Sequence, residues 1–260
     1  MYPESKPILF ESPRDFESIE IYPCHDLHYG NEMFDAHRWN SLLNEILSQP
    51  NRYVCFLGDL MENALPNSRS NPLTQLHSPL EQREFVVEQL KALKGRVICI
   101  LDGNHEQNRS TRMAGLYPLY DAACIAGCEE VYRSSYAVID LSVGRHAERH
   151  ENRPYHYVGF CTHKAKDLKS FHSVDALEGF DFMLYGHDHE PRDHARAKLC
   201  YDRRRRLVTF KSCETINCGA FLNYGGYGAH AGYRPQSDKM YKLVLSGRQQ
   251  RITTVGFYVD

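Results

Sequence analysis

The chain has 260 residues, of which 42% are apolar and 25% charged, and its formal net charge is −2. This balance argues against a strongly basic protein that coats nucleic acid without specificity. No apolar run approaches the roughly 20 residues that span a membrane, and the N-terminus lacks a signal pattern. We therefore expect a single domain over residues 1–260 that is cytoplasmic and has no membrane partner.

The cysteines agree with a reducing compartment. There are nine, an odd number, and no two form a C-x-x-C pair. Cys55, Cys99 and Cys161 each lie inside an apolar run, where a cysteine behaves as a small hydrophobic residue. We predict that these three are buried and form no disulfide.

Apolar runs and helical patterns alternate over the first 185 residues, which is typical of α/β proteins. Strands are predicted at 19–22, 53–57, 97–101, 136–141, 157–161 and 182–185. One helix follows Asp35, a candidate N-cap, and a second begins at Ser78 with the spacing of a capping box. A third helix is predicted over 113–127. The polar segment 62–77 is predicted to be a long loop and a candidate substrate lid.

The chain changes character after residue 189. Residues 207–210, 241–245 and 252–258 are predicted to be antiparallel strands. The four arginines at 203–206 fit either a nucleic-acid contact or a solvated hairpin turn. The segment 224–235, rich in glycine and tyrosine, fits either a platform for base stacking or a turn whose tyrosines pack on the sheet.

Five short polar groups each follow a predicted strand. They are Asp26-Leu27-His28, Gly58-Asp59, Gly103-Asn104-His105-Glu106, Thr162-His163 and Gly186-His187-Asp188-His189. Ligands gather outside the carboxyl ends of strands in open α/β sheets, so these groups are expected to converge. Alternate side chains of an extended segment point the same way, which predicts that Asp26 faces the site with His28, and His187 with His189. The glycines at 58, 103 and 186 are expected to allow sharp turns.

The chemistry of these side chains points to transition metals. Imidazole, carboxylate and one amide oxygen, without thiolate, suit manganese, iron, zinc or nickel. Seven ligands exceed what one ion needs, but they suit two ions about 3.5–4 Å apart that share a bridging carboxylate. We therefore expect two divalent ions, with manganese as the first choice.

The order D-x-H, G-D, G-N-H-E, H, G-H-x-H over residues 26–189 resembles the calcineurin-like metallophosphoesterase superfamily. The resemblance implies an α/β fold, the four-layer α/β/β/α sandwich, with residues 17–185 supplying the first sheet and the C-terminal strands completing the second. It also implies the roles of the site residues. Asp26, His28 and His189 would hold one ion, Asn104, His163 and His187 the other, with Asp59 as the bridge and His105 as proton donor to the leaving oxygen.

The chain departs from two branches of that superfamily. Protein phosphatases follow G-D with a further acid and an arginine, whereas Leu60-Met61-Glu62-Asn63 stands here. The superfamily's nucleases carry a capping domain after the last motif, and we expect none in residues 190–260. The missing phosphatase pattern and the tyrosine-rich segment 224–235 favour a phosphodiesterase that acts on a nucleotide or a nucleic-acid-like substrate, with no obligate protein partner.

Two alternatives stay open. One is a phosphomonoesterase. The other is a metal-free scaffold that binds a protein, which predicts eroded ligands, whereas the ligand set here is intact.

Substrate contacts are predicted at three positions outside the metal ligands. Arg109 and Arg234 offer planar guanidinium groups for a phosphate, and Tyr227 offers a ring for a base. Asn104 and Asp59 are expected to take part in catalysis with His105. Glu106 is predicted to cap the helix that follows it.

Overall fold

The computed structural model describes residues 6–66, 68, 71–144, 153–164, 178–230, 232 and 234–259, with the backbone alone at 227. Most of the predicted lid at 62–77 lies within these ranges, and most of the charged segment 144–154 does not. No helix in these ranges combines the length and the apolar character that crossing a membrane requires.

The described residues form an α/β structure with two mixed sheets of six strands each. The strands are β1 (Ile8–Glu11), β2 (Ser18–Cys24), β3 (Arg52–Phe56), β4 (Val97–Leu101), β5 (Tyr132–Arg133), β6 (Tyr136–Val143), β7 (Tyr155–Lys164), β8 (Phe182–Gly186), β9 (Arg192–Asp202), β10 (Leu207–Asn217), β11 (Met240–Ser246) and β12 (Ile252–Phe257). Sheet I has the order β12-β11-β2-β3-β4-β5, and sheet II the order β1-β6-β7-β8-β10-β9.

The expected division of the chain between the sheets is wrong. The C-terminal strands β11 and β12 belong to sheet I, because β11 pairs antiparallel with β2. The expected antiparallel pairing of β11 with β12 is confirmed. Strand β10 is antiparallel to β9 but parallel to β8, so it extends sheet II. Each sheet is therefore built from both halves of the chain.

Helices cover the outer face of sheet I. The helices are α1 (Ala36–Leu47), α2 (Pro79–Ala92), α3 (Arg112–Ala114), α4 (Pro118–Ala126) and α5 (Gly226–His230). Asp35 caps α1 through its carboxylate, and Ser78 and Glu81 form the predicted capping box of α2. Apolar residues of α1, α2 and α4 pack with Val54, Phe56 and other residues of the sheet.

The predicted helix over 113–127 is wrong in its first part. A π-helical turn at Glu106–Thr111 runs into the short α3, which ends at Gly115 in a left-handed conformation. A separate helix, α4, then begins with Pro118. Glycine favours the left-handed region and proline the first turn, so the chain restarts the helix between them.

A second core lies between the two sheets. It joins residues of sheet I, such as Ile21 and Leu101, to residues of sheet II, such as Ile139 and Leu184. On the outer face of sheet II, residues of β6, β7, β8 and β10 form a small apolar cluster with Phe180. The described residues thus give helices, sheet I and sheet II as successive layers.

Candidate metal centre

The predicted ligands lie at or just beyond the carboxyl ends of five strands, and His163 is the next-to-last residue of β7. β2, β3 and β4 run parallel in sheet I, and β7 and β8 run parallel in sheet II. Their ends meet, so residues from both sheets enter one site. The structure brings together all seven predicted ligands: Asp26, His28, Asp59, Asn104, His163, His187 and His189.

The backbone under these residues differs from the expected extended form. Seven described non-glycine residues have positive φ, and five of them are predicted ligands: Asp26, His28, Asp59, His187 and His189. Left-handed backbone is rare outside glycine and asparagine, and it concentrates at functional sites. Asp26, His28, His187 and His189 all face the cluster. Their left-handed backbone conformations direct the side chains there, and the alternation of side chains along an extended strand does not.

The first donor group consists of Asp26, His28 and His189. Nε2 of His28 lies 3.2 Å from Nε2 of His189. Oδ1 of Asp26 lies 3.5 Å from Nε2 of His28 and 3.4 Å from Nε2 of His189. Two imidazole nitrogens that bind one ion at about 2.1 Å lie roughly 3.0–3.4 Å apart, so this spacing fits a shared ion.

The other oxygen of Asp26 is fixed by the protein. Oδ2 accepts hydrogen bonds from Nδ1 of His25, at 2.6 Å, and from the backbone N–H of His187, at 2.8 Å. Nε2 of the buried His25 accepts from the backbone N–H of Cys218. His25 therefore orients the carboxylate that enters the site.

The second donor group consists of Asn104, His163 and His187, with Asp59 beside them. Nε2 of His163 lies 3.1 Å from Oδ1 of Asn104 and 3.3 Å from Oδ2 of Asp59. Nδ1 of His163 donates to the carbonyl oxygen of Leu57, which orients the ring so that Nε2 faces the group. Burial, together with His163, lowers the pKa of His187 to about 4 and favours the neutral, metal-binding form.

Asp59 connects the two groups. Its carboxylate lies within 4.8 Å of donor atoms of His163 and His187 on one side and of His28 and His105 on the other. Burial alone would raise the pKa of Asp59, but His105 and His163 lower it below its ordinary range. A single ionised carboxylate therefore stands between the two halves, where a bridging ligand is expected.

His105 lies beside the second nitrogen of His28 and not within the Asn104 group. Its Nδ1 donates to the carbonyl oxygen of Glu62, at 2.9 Å, and its Nε2 accepts from Arg109, at 3.0 Å. Burial lowers the pKa of His105 to about 4. Asn104 and His105 thus point in different directions, as neighbours on one loop should.

Arg109 is buried and already paired. Its guanidinium donates to the carbonyl oxygen of Glu62 and to the carboxylate Oε1 of that residue, at 3.1 Å. Oε2 of Glu62 accepts from Asn31 and lies 3.4 Å from Nδ1 of His28. No motif in the sequence singles out Glu62, whose place four residues after Gly58 is the one signal that points to it.

The predicted capping role of Glu106 describes one of its contacts, because its Oε2 accepts the N–H of Gly103, just before the helical turn that begins at Asn104. Its carboxylate accepts the backbone N–H groups of Asp59, Met61 and Gly103, and so ties the loop after β3 to the loop after β4. Burial, with Asp59 nearby, raises the pKa of Glu106 to about 7. Glu106 has this wider role because the buried N–H groups of two adjoining loops need an acceptor.

Gly103 allows these loops to approach. A Cβ at this position would lie 2.1 Å from Oδ1 of Asp59 and 2.2 Å from its backbone nitrogen. Of the three glycines expected to serve sharp turns, only Gly58 has positive φ, whereas Gly103 and Gly186 leave room for neighbours.

The remaining substrate predictions are not tied to the cluster. Arg234 is exposed, and the side chain of Tyr227 lies outside the described residues, although its backbone belongs to α5. The chain before α5 does run beside the site, since Phe221 N–H donates to the carbonyl oxygen of Asp26. The arginines at 203–206 form the exposed turn of the β9–β10 hairpin.

Two comparisons with known proteins were made. No family model matches the chain, and no curated protein matches it.

Proposed function

We propose that this protein is a two-metal hydrolase of phosphate esters with the four-layer sandwich fold of the calcineurin-like metallophosphoesterases. The observation that carries the proposal is the convergence of seven side chains from five strands into two donor groups that share Asp59. The α/β/β layering of the described residues is compatible with that fold.

An unsatisfied oxygen supports metal binding at the first group. Oδ1 of Asp26 is fully buried and has no hydrogen-bond partner, although two imidazole nitrogens lie within 3.5 Å. A buried carboxylate oxygen without a partner carries a large desolvation penalty, which a cation removes. Asp26, His28 and His189 would hold one ion, and Asn104, His163 and His187 the other, with Asp59 between them.

Divalent ions bound here would neutralise charge on the phosphoryl oxygens and activate a water. The chain's own contribution centres on His105 and Arg109. In the structure, the guanidinium of Arg109 donates a hydrogen bond to Nε2 of His105. We infer that a substrate phosphate draws the guanidinium onto its own oxygens, which leaves the lone pair of Nε2 of His105 free to take up a proton from solvent and pass it to the leaving oxygen.

The charge around Arg109 favours a diester over a monoester. Its guanidinium is matched by the carboxylate of Glu62, so the pair brings no net positive charge to the site. A phosphodiester carries one negative charge, whereas a monoester near neutral pH carries about 1.5 to 2, which calls for more cationic partners. A nucleotide or nucleic-acid-like diester is therefore the preferred substrate class, and a phosphomonoester is the alternative.

The test compares a generic aryl phosphodiester with the matching monoester, using protein purified without chelator and supplied with Mn²⁺. We expect up to two transition-metal ions per chain and faster hydrolysis of the diester. A tenfold preference for the monoester would overturn the diesterase assignment. Protein that never retains metal and hydrolyses neither ester would instead favour the scaffold.

A matched pair of histidine variants makes this test specific. His189→Ala removes a predicted ligand whose side chain is 35% exposed, whereas His156→Ala removes a more exposed histidine on β7. We expect His189→Ala to lose metal and activity and His156→Ala to keep both. Equal losses in the two variants would contradict the proposed site.

A further inference from the structure

A second group of metal-binding side chains lies in the core between the two sheets. Cys55 on β3, Cys99 on β4 and Cys161 on β7 are all fully buried. Their sulfur atoms lie within 4.8 Å of one another. Cys55 and Cys99 are direct partners in sheet I, and Cys161 reaches them from sheet II.

The surroundings of these thiols set the coordination number. The strand neighbours of Cys161 are Ala137 and Leu184, and the neighbour of Cys55 on β2 is Pro23. None of these side chains offers an oxygen or nitrogen. Structural zinc needs four ligands, so three sulfurs in an apolar setting suit it poorly.

We propose that Cys55, Cys99 and Cys161 form a buried three-coordinate site for monovalent copper. Soft thiolate ligands select Cu(I). Three sulfurs about 2.3 Å from one ion in a planar arrangement lie roughly 4 Å apart. The observed separations, all within 4.8 Å, are of this order. Each thiol that binds gives up its proton to solvent as the metal–sulfur bond forms.

A cation nearby offsets the negative charge of bound thiolates. Arg133 on β5 is the register partner of Leu101, which shares a sheet face with Cys99 two residues away. The Nη atoms of Arg133 donate to the backbone carbonyl oxygens of Glu130, Tyr132 and Lys6, while its Nε is buried without a hydrogen-bond partner. Its guanidinium therefore lies on the side of sheet I that carries the cysteine cluster.

The thiol site is separate from the proposed phosphoesterase centre and does not depend on it. Cys161 precedes His163 by two residues, about 7 Å along the strand. The test must therefore distinguish copper bound by the cysteine sulfurs from copper bound by the histidines of the candidate metal centre.

The experiment titrates the reduced full chain with Cu(I), without oxygen and against a chromophoric Cu(I) chelator. We expect one tightly bound ion in the wild type and in His189→Ala, and loss of that ion in Cys99→Ala. Cys24→Ala is the matched control, because Cys24 is equally buried but packs on the helix side of sheet I. Retention of the ion in Cys99→Ala, or its loss in His189→Ala, would overturn the proposal.

A spectroscopic measurement guards against misfolding of the cysteine variant. X-ray absorption at the copper edge of the wild-type complex should give three sulfur neighbours and no nitrogen. A fit with two sulfurs, or with nitrogen ligands, would contradict the three-coordinate site whatever the variants do.

Discussion

Several residues of the candidate metal centre have a backbone conformation that is unfavourable in free energy. Left-handed conformations at non-glycine residues cost of order 1–3 kcal/mol each and persist only where the surroundings enforce them. At Asp26 the enforcement is visible, since the backbone N–H of His187 and Nδ1 of His25 both donate to its carboxylate. The strain is thus held in place by hydrogen bonds between the loops.

Neighbouring residues Asn104 and His105 should have different roles. Asn104→Ala removes the amide oxygen that lies 3.1 Å from Nε2 of His163, so we expect loss of one metal ion and of activity. His105→Ala removes a ring that bonds to Glu62 and Arg109, so we expect full metal content and a rate lower by about 10²–10⁴-fold. Metal analysis and steady-state kinetics on both variants provide the measurement.

The wild type treated in parallel is the control for metal loss during purification. Full activity of His105→Ala would refute its role as proton donor. Loss of metal from His105→Ala would instead make it a ligand, since it lies within reach of Asp59 and His28.

The residues that converge could be predicted from sequence, but their backbone geometry could not. The order of motifs behind apolar strands gave the seven residues that converge. The left-handed turns under Asp26 and His189 carry no signal, because aspartate and histidine usually adopt other conformations. The role of Glu106 depends on N–H groups 45 and 47 residues away, and contacts at that range leave no local pattern.

At the scale of elements, the loops after β3 and β4 behave as one unit. Glu106 bonds to the N–H groups of Asp59 and Gly103, and Asp59 accepts from the N–H of His105. The two loops therefore position the carboxylate of Asp59, the proposed bridge, and the proposed acid His105 together. A change that separates them should disturb both.

Gly103→Ala tests this unit. The added Cβ would meet the side chain and backbone of Asp59 at 2.1–2.2 Å, and backbone cannot move aside as a flexible side chain can. We expect loss of metal and of activity. Gly159→Ala is the comparison, because its Cβ would meet the ring of Phe182 in the core at 2.3 Å, away from the loops.

The two alanine variants should separate stability from metal binding. Overpacking a core costs typically 1–3 kcal/mol, so Gly159→Ala should unfold at lower urea concentration yet still bind metal. Normal metal affinity in Gly103→Ala would show that the loops can separate without harm to the site.

Elements with strong local signals were predicted well. The capping box at Ser78 and the N-cap at Asp35 are confirmed. Strand β9 was missed because its side chains are exposed or half-buried, so it lacks an apolar periodicity. The sheet assignment of β11 and β12 depends on pairing with β2, more than 200 residues away, which composition does not encode.

At the scale of the whole molecule, the two sheets are joined differently at their two ends. At the carboxyl ends of the parallel strands, ligands from sheet I and sheet II meet in the candidate metal centre. At the opposite end, the hydroxyl of Tyr157 on β7 bonds to the turn between β11 and β12, with the carbonyl oxygen of Ser246 at 2.7 Å. We expect the first junction to depend on metal and the second to be independent of it.

Metal removal should therefore lower the stability of the protein by weakening only the junction at the candidate metal centre. A ligand at a hundredfold excess over its Kd stabilises the folded state by about 2.7 kcal/mol per site, so chelator should lower the free energy of unfolding by that order. The difference in the free energy of unfolding with and without metal should be smaller in His189→Ala.

Tyr157→Phe should lower the free energy of unfolding by about 1–3 kcal/mol, equally with and without metal. The two effects are independent because the two junctions lie about six residues, roughly 20 Å, apart along β7. Urea unfolding of the three proteins, with Mn²⁺ and with chelator, measures all these differences, and an undiminished metal effect in His189→Ala would place the stabilising ion elsewhere.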